Sequence, residues 1–250
     1  LIAGSKLPFG APDFRIIRGE HYLPAIKAGI AQQRAAIKEI VDNKKKPTFK
    51  NTVLAYEKSG ELLDRVTSGF FGLTSAHKTS DIEAAEPEAI RLLTEFGNEV
   101  SFNQAFFDRV KYVYDNERSK LKGEDQKLLE ETYKGFVRSG ALLSDADKKR
   151  MEEINNRSAK LQQDFLSMLP KATNAAAVWV DTKEELAGLS DADIAQCAAD
   201  AKARGGKAPY CIVVVNTTQQ DILASLDNRS LRERVFNASL HRADGTNEFN

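Results

Sequence analysis

The sequence predicts a predominantly α-helical protein, a multi-helix fold with a small two-stranded β element near its carboxyl end. Up to about residue 170, apolar side chains recur with the 3.6-residue period of helices. Helix-capping and helix-ending residues separate these periodic stretches. After residue 170, two short apolar runs rich in valine and isoleucine replace the helical period, which indicates strands.

The first helix is predicted from about Tyr22 to Asp42, with its large apolar residues on one face. The basic run from Lys44 to Lys46 follows it. We interpret this run as a solvated loop that closes the carboxyl end of the helix, in preference to an anion-binding patch.

A second helical stretch is predicted from Asn51 to about Leu73, and it is expected to be interrupted or kinked near Ser59 and Gly60. Both small residues are poor at continuing a helix without a kink.

A third helix is predicted to begin with a capping box formed by Ser80 and Glu83. Pro87 either bends this helix or marks its true first turn. Two more helices follow, from Asn103 to Arg118 and from Glu124 to Arg138. Gly140 is expected to end the second of them in a left-handed conformation.

The longest predicted helix extends from Ser144 to Leu169 and carries a narrow apolar seam at alternating three- and four-residue steps. We expect the seam to pack against other helices of the same chain, and its alternative role is a partner-binding face. The seam consists of Met151, Ile154, Ser158, Leu161, Phe165 and Met168.

The two predicted strands lie at about residues 176–181 and at residues 210–215. Between them, Ser190 and Asp193 cap a helix that Gly205 and Gly206 end. The connection length suggests a parallel pair, although a mixed sheet stays open. A last helix is predicted from Asn228 to about Arg242. Because two strands rarely form a stable sheet alone, we expect further strands from polypeptide beyond this chain.

Composition argues against nucleic-acid and membrane partners. Lys plus Arg number 36 and Asp plus Glu number 36, so no net charge attracts a polyanion or an anionic membrane. No stretch approaches the roughly twenty apolar residues of a membrane span. The first ten residues lack the pattern of a signal peptide. Cys197 and Cys211 are expected to be buried thiols.

The sequence contains no H-E-x-x-H segment, in which two histidines four residues apart bind zinc and the glutamate activates water. The three histidines are scattered instead. We interpret His21 as a helix-capping residue or a polar surface residue, and His241 as a residue favoured at a helix carboxyl end. His77 is either a buried hydrogen-bonded ring or a cleft residue.

Other catalytic patterns are absent as well. There is no G-x-S-x-G nucleophile elbow, and neither cysteine is adjacent in sequence to a histidine. Gly205 and Gly206 follow a helix and precede a strand, which is the reverse of the order in phosphate-binding loops. The sequence therefore assigns no catalytic residue and no metal ligand, and the substrate-binding residues stay unknown.

Several long segments in the same order resemble the thimet oligopeptidase and dipeptidyl carboxypeptidase family, and in particular the amino-terminal portion of bacterial peptidyl-dipeptidases. They cover almost the whole chain, which makes them more specific than any short motif. The segments are LPFGAPDF at residues 7–14, EHYLPA at 20–25, PTFKNT at 47–52, SGELLDRV at 59–66, FFGLTSAH at 70–77, LLEETYKGFVRSG at 128–140, DNR at 227–229 and LR at 231–232.

The resemblance implies the fold of the amino-terminal half of neurolysin and thimet oligopeptidase. Residues 1–172 would form a helical lid and channel-wall domain, and residues 173–250 would begin a mixed helix and strand segment that continues into a catalytic part. The family members are zinc metallopeptidases with a deep channel that admits short unfolded peptides. Their zinc ligands and general base lie beyond the segments matched here.

The expected function is therefore the substrate-channel part of a zinc peptidase that hydrolyses short peptides and releases dipeptides from their carboxyl ends. By itself this chain is expected to bind no zinc and to be inactive. We expect a monomer in the cytoplasm or in the bacterial periplasm. The alternative hypotheses are a non-catalytic helical scaffold derived from the same fold and a helical adaptor that uses the apolar seam.

Overall fold

A computed structural model describes residues 1–215, 219–241 and 244 and confirms the predominantly helical class. Its described part contains ten α-helices and one two-stranded sheet. The helices are α1 Tyr22–Asp42, α2 Val53–Ser59, α3 Glu61–Ala76, α4 Ser80–Ser101, α5 Gln104–Glu117, α6 Gly123–Arg138, α7 Asp145–Ala175, α8 Asp191–Ala203, α9 Gln219–Ser225 and α10 Arg229–Leu240, and the strands are β1 Val178–Val180 and β2 Tyr210–Ile212.

The chain divides into two compact units, Leu1–Leu161 and Gln162–Asn250. The sequence prediction placed a domain boundary between residues 172 and 173, and that functional division stays a prediction. Among the described residues, no helix combines the length and apolarity that crossing a lipid bilayer requires.

Helix α1 is the centre of the first unit and contacts α2, α3, α4 and α5. Its predicted apolar face is buried, since Tyr22 and Ile26 are fully enclosed in the main core. Gly29 permits close packing on α3, because a Cβ atom added there would lie 3.0 Å from the Cα of Leu63. Each large apolar side chain buried in this way contributes about 1.5–3 kcal/mol.

The interruption predicted at Ser59 and Gly60 is confirmed, because α2 ends at the first residue and α3 starts after the second. The capping box predicted for α4 is wrong. Thr79 is the N-cap residue, and its hydroxyl donates to the carboxylate of Asp81. Helix α4 continues through Pro87, so this proline does not mark the first turn.

Helices α5 and α6 pair through aromatic side chains. The rings of Tyr114 and Tyr133 stack with centroids 3.9 Å apart, and Phe106 and Phe136 meet edge to face. Offset and edge contacts of this kind add about 0.5–1.5 kcal/mol to the burial of the rings. The predicted glycine stop is confirmed, because Gly140 has a φ of 96° after α6.

Helix α7 confirms the long predicted helix and extends through Pro170 to Ala175. The predicted packing of its apolar seam is wrong, because Ile154, Leu161 and Phe165 are 47%, 56% and 54% exposed. Polar side chains on a different part of the helix surface make its described contacts instead.

The amino-terminal half of α7 meets α4 and α5 through two polar groups. Asn155 donates to the side-chain oxygen of Asn98 at 2.7 Å, and the Asn98 amide donates to Asn156 at 3.3 Å. The Lys148 ammonium, only 8% exposed, donates to Gln104 at 2.7 Å. Sequence periodicity identified the apolar seam, but the side chains that form these hydrogen bonds with neighbouring helices lie outside it.

In the second unit, β1 and β2 are antiparallel, which corrects the suggested parallel pairing. Val180 pairs with Tyr210, so the connection returns to the strand end that it left. The ten residues 181–190, which include a 3₁₀ turn at Glu184–Leu186, supply the additional length that makes this return possible. The sequence prediction inferred a parallel pair from the length of the connection between the two strands.

Helix α8 packs on β2 and begins as predicted, because the Ser190 hydroxyl accepts a bond from the amide of Asp193 at 3.2 Å. Gly205 and Gly206 end it with φ values of 89° and 62°. Asn228 similarly caps α10. Helix α9 was not predicted, and the predicted end of the last helix at Arg242 lies outside the described residues.

Candidate functional site

The three histidines do not form a catalytic group. His21 accepts a hydrogen bond from the Arg18 amide through Nδ1 at 3.1 Å, which confirms its capping role. His77 is exposed at the C-cap of α3, so it is not a buried ring. His241 is the C-cap of α10, and its Nδ1 is hydrogen bonded to Asp244.

Both cysteines are buried free thiols, as expected. Burial raises the pKa of Cys197 to about 11, and burial also raises the pKa of Cys211. A nucleophilic cysteine needs a lowered pKa and an accessible sulfur. Neither thiol meets these conditions, and both have structural positions between α8 and β2.

The described residues offer no group of three or more histidine, cysteine, aspartate or glutamate side chains with the geometry of a metal site. Zinc is normally held by such groups in tetrahedral arrangement. The donors present in the described parts of the chain therefore do not fit a zinc centre, and we derive no reaction step through zinc from them.

The basic loop predicted after α1 is confirmed as a solvated connection. Lys44, Lys45 and Lys46 are exposed there. Arg109 of α5 fixes the loop by donating to the carbonyl of Asn43 at 2.8 Å. The Lys46 ammonium lies 5.5 Å from the centre of the Tyr112 ring, a cation–π contact that directs this charge onto α5.

One concave feature of the first unit is a cavity of about 380 Å³ between the amino-terminal arm, residues 1–18, and helices α1 and α3. We call it the arm cavity. Its lining is mostly apolar and includes Leu1, Leu7, Ile16 and Ile17 from the arm. Tyr22 of α1 and Arg65 of α3 complete the inner wall together with Gly69.

Two donors of these lining residues, the hydroxyl of Tyr22 and the Nε of Arg65, are closed to solvent and have no hydrogen-bond partner among the described residues. Tyr22 is fully buried, and burial raises the pKa of its hydroxyl, which stays protonated at neutral pH. Arg65 is partly engaged through its other nitrogens, since Nη2 donates to the carbonyl of Ile2 at 3.1 Å.

Comparison with known proteins identifies relatives along nearly the whole chain. Dipeptidyl carboxypeptidase of Escherichia coli (strain K12) is 38% identical over 96% of this chain and 35% of its own length. The same enzyme of Salmonella typhimurium is 38% identical over 98% of the chain and 36% of its length. The chain is similar to dipeptidyl carboxypeptidases and oligopeptidases A along nearly its whole length. Oligopeptidase A of Salmonella typhimurium is 23% identical over 94% of the chain and 35% of its length.

The chain thus spans about a third of the length of the dipeptidyl carboxypeptidases that it matches. No protein-family model matches it. This similarity confirms the resemblance inferred from the sequence segments, which cover the same extent of the chain.

Sequence reasoning missed the arm cavity. The sequence prediction treated Tyr22 only as an apolar residue on one face of the first helix, and it assigned no role to Arg65. One signal was present, because Arg65 and Gly69 are four residues apart and therefore lie on one face of α3. The position of the amino-terminal arm over this face of α3 could not be predicted, because it depends on tertiary structure.

Proposed function

We propose that this chain forms the substrate-admitting helical wall of a peptidase that hydrolyses short peptides and releases dipeptides from their carboxyl ends. The observation that carries the proposal is the match to two dipeptidyl carboxypeptidases along at least 96% of the chain. Identity to these proteins is 38%, compared with 23–25% for the oligopeptidases A. The difference favours dipeptide release over internal cleavage.

In this proposal the reaction takes place at a zinc centre whose ligands belong to other parts of the larger protein. The sequence has no H-E-x-x-H segment, and its histidines lie at helix ends. The contribution of this chain is shape, since a rigid helical wall restricts entry to peptides that are short and unfolded. The isolated chain is expected to be an inactive monomer, in the cytoplasm or in the periplasm.

Exposed apolar side chains on α7 support a role within a larger assembly. Ile154 and Leu161 are about half exposed on a helix that forms hydrogen bonds to its described neighbours through Lys148 and Asn155. Exposed apolar groups that recur at helical spacing often mark an interface. We propose that this seam packs against the remaining polypeptide of the peptidase.

Activity measurements on two purified proteins test the proposal. The polypeptide encoded by the complete gene should cleave a short fluorogenic peptide in a chelator-sensitive manner and release its carboxyl-terminal dipeptide. The same peptide inserted in a folded domain should remain uncut. The 250-residue chain alone should neither turn over the peptide nor retain stoichiometric zinc after dialysis.

Chelator-sensitive turnover by the pure 250-residue chain would contradict the proposal that the zinc ligands belong to other parts of the larger protein. The length of the gene separates the proposal from the alternative, a non-catalytic helical scaffold. A reading frame that continues to an H-E-x-x-H segment supports the peptidase, and a stop codon soon after residue 250 supports the scaffold.

A further inference from the structure

Phe9 has an unfavourable backbone conformation in the amino-terminal arm. The amide of Gly10 donates to the carbonyl of Leu7 at 3.0 Å, which closes a turn with Phe9 as its third residue. Phe9 has a φ of 59° and a ψ of 16°, and in the described part of the chain it is the one residue other than glycine with a positive φ. A turn with a positive φ at this position selects glycine or asparagine. Phenylalanine is therefore strained in this arrangement of the arm.

The Phe9 side chain is also fully exposed to solvent. The next most exposed large apolar side chain in the described part of the chain is Ile16, which is 70% exposed. Burial of an aromatic ring removes a large apolar area from water and favours a packed arrangement. Both the backbone and the side chain of Phe9 would therefore be stabilised by a different position of the turn.

The arm cavity lies beside this turn. Leu7, Gly10 and Pro12, which flank Phe9 in the sequence, belong to its lining, whereas Phe9 itself does not. The cavity has a volume of about 380 Å³. A protein cavity of about 150 Å³ already accommodates benzene. The arm cavity is thus large enough for a phenyl ring.

The lining of the arm cavity suits an uncharged ring. Leu7, Ile16 and Ile17 supply aliphatic surface. The Tyr22 hydroxyl and the Arg65 Nε are closed to solvent, so a group inside the cavity cannot bond to them. A hydrocarbon ring requires no hydrogen-bond partner, which matches such a lining.

Two glycines allow the turn to rotate while the ends of the arm stay in place. Gly4 and Gly10 have φ values of 78° and 69°, and no atom lies within 4 Å of a Cβ atom added at either residue. Hydrogen bonds hold the arm at the carbonyl of Ile2 and at the amide of Gly19. Movement is thereby confined to the intervening segment, which carries Phe9.

We propose that the arm has a second, closed and more populated arrangement, in which the turn rotates and the Phe9 ring fills the arm cavity against Ile16 and Ile17. Closure relieves the backbone strain, buries the exposed ring and makes the arm a lid that excludes apolar molecules from its own cavity. The occupant belongs to the same chain, because the short connection to the lining residue Gly10 keeps the ring at a high effective concentration beside the cavity. The inference does not depend on the peptidase function.

Nuclear Overhauser contacts in the 250-residue chain, labelled at the isoleucine δ1 methyl groups, test closure without any substitution. The ring protons of Phe9 should contact the methyl groups of Ile16 and Ile17 and not that of Ile40, which is buried in the main core. Phe9→Leu identifies these contacts by their loss. A mixed sample, in which labelled methyl groups and protonated phenylalanine are on different molecules, should show none of them. Contacts in the mixed sample would identify a second copy as the occupant and overturn the proposal.

Two variants at position 9 distinguish the arrangements by their folding equilibria, measured by urea unfolding. Asparagine tolerates a positive φ, so Phe9→Asn would leave the folding equilibrium constant unchanged or raise it if the ring stayed in solvent. In the closed arrangement the same substitution removes buried apolar surface and should lower the constant at least about tenfold. Phe9→Leu is the matched control, because it keeps an apolar side chain for the cavity and should lower the constant less.

Toluene gives an independent readout, because it is an uncharged aromatic molecule close in size to the phenylalanine side chain. It should bind Phe9→Asn at least about tenfold more tightly than the unaltered chain, in which the ring occupies the cavity, and should shift the methyl signals of Ile16 and Ile17. Three further results would overturn the proposal: the Phe9 ring contacts neither methyl group, Phe9→Asn folds as stably as the unaltered chain, or toluene binds the two proteins equally.

Discussion

The amide of Gly19 donates a 3.0 Å hydrogen bond to the carboxylate of Asp81, and the two residues are packed so closely that a side chain on Gly19 has no room. This contact connects the end of the amino-terminal arm with the first turn of α4. A Cβ atom on Gly19 would lie 2.1 Å from the Asp81 oxygen. The arm is thus held at a defined point beside the arm cavity.

Replacing Gly19 with alanine is expected to destabilise the chain by about 1–3 kcal/mol, because Asp81 must move and lose the amide bond. Urea unfolding followed by circular dichroism measures the change. Gly72→Ala is the matched control, since Gly72 lies in α3 with open space around it. That control should be neutral or stabilising by up to about 1 kcal/mol. Equal effects of the two substitutions would contradict the steric argument.

The Asp81 carboxylate should also make stability depend on acid. The Thr79 hydroxyl, followed by the backbone amides including that of Gly19, holds the pKa of Asp81 below its usual range. A lowered folded-state pKa contributes stability above the unfolded pKa, and this contribution is lost as the pH falls through the folded value.

Thr79→Val removes the largest of these contributions. The free energy of unfolding should therefore decrease less as the pH falls from about 5 through the ordinary aspartate pKa of about 3.9. Asp81→Asn should reduce this decrease further. Urea midpoints measured at a series of pH values provide the check. Identical acid slopes in the unaltered protein and both variants would exclude Asp81 as their source.

The exposed seam of α7 predicts a marked contrast between two leucines. Leu161 is 56% exposed, so Leu161→Asp should change the free energy of unfolding of the chain by no more than about 0.5 kcal/mol. Leu129 is fully buried, and Leu129→Asp should unfold the chain. In the complete protein, Leu161→Asp should reduce peptidase activity if the seam packs against other polypeptide. Unchanged activity would remove that support for the proposed interface.

The buried thiols predict slow alkylation. With a pKa of about 11, about a thousandth of Cys197 is thiolate at pH 8, and burial further limits access to its sulfur. Mass spectrometry after treatment with iodoacetamide should find the folded chain unmodified and the urea-unfolded chain modified at both cysteines. An exposed thiol introduced as Ser68→Cys should react rapidly in the folded chain. Rapid modification of folded Cys197 would contradict its buried position.

Helix bounds and caps could be predicted because they depend on residues that lie close together in the sequence. The bounds of α1, from Tyr22 to Asp42, follow from the apolar period, and the Ser190 cap follows from a side chain that bonds the amide three residues later. Antiparallel pairing of β1 and β2 was not accessible, since it depends on the path of residues 181–190.

The candidate site was less predictable than the helices. Periodicity placed Tyr22 on the buried face of α1, which is correct, but it carries no information on whether the hydroxyl finds a partner. That outcome depends on where the arm lies and on the glycine at position 69. The same limitation applies to α7, whose apolar period was recognised although its contacts involve Asn155 and Lys148.

The amide and ammonium contacts between α7 and its neighbours α4 and α5 have a thermal consequence. Asn98, Asn155 and Lys148 supply side-chain hydrogen bonds at this junction. Exposure of apolar surface raises the heat capacity, whereas exposure of polar surface lowers it. Separating this part of α7 therefore involves a small heat-capacity change, so its free-energy cost varies with temperature much less than that of opening the aromatic pairing of α5 and α6. On cooling, the polar junction keeps its strength while the aromatic one weakens.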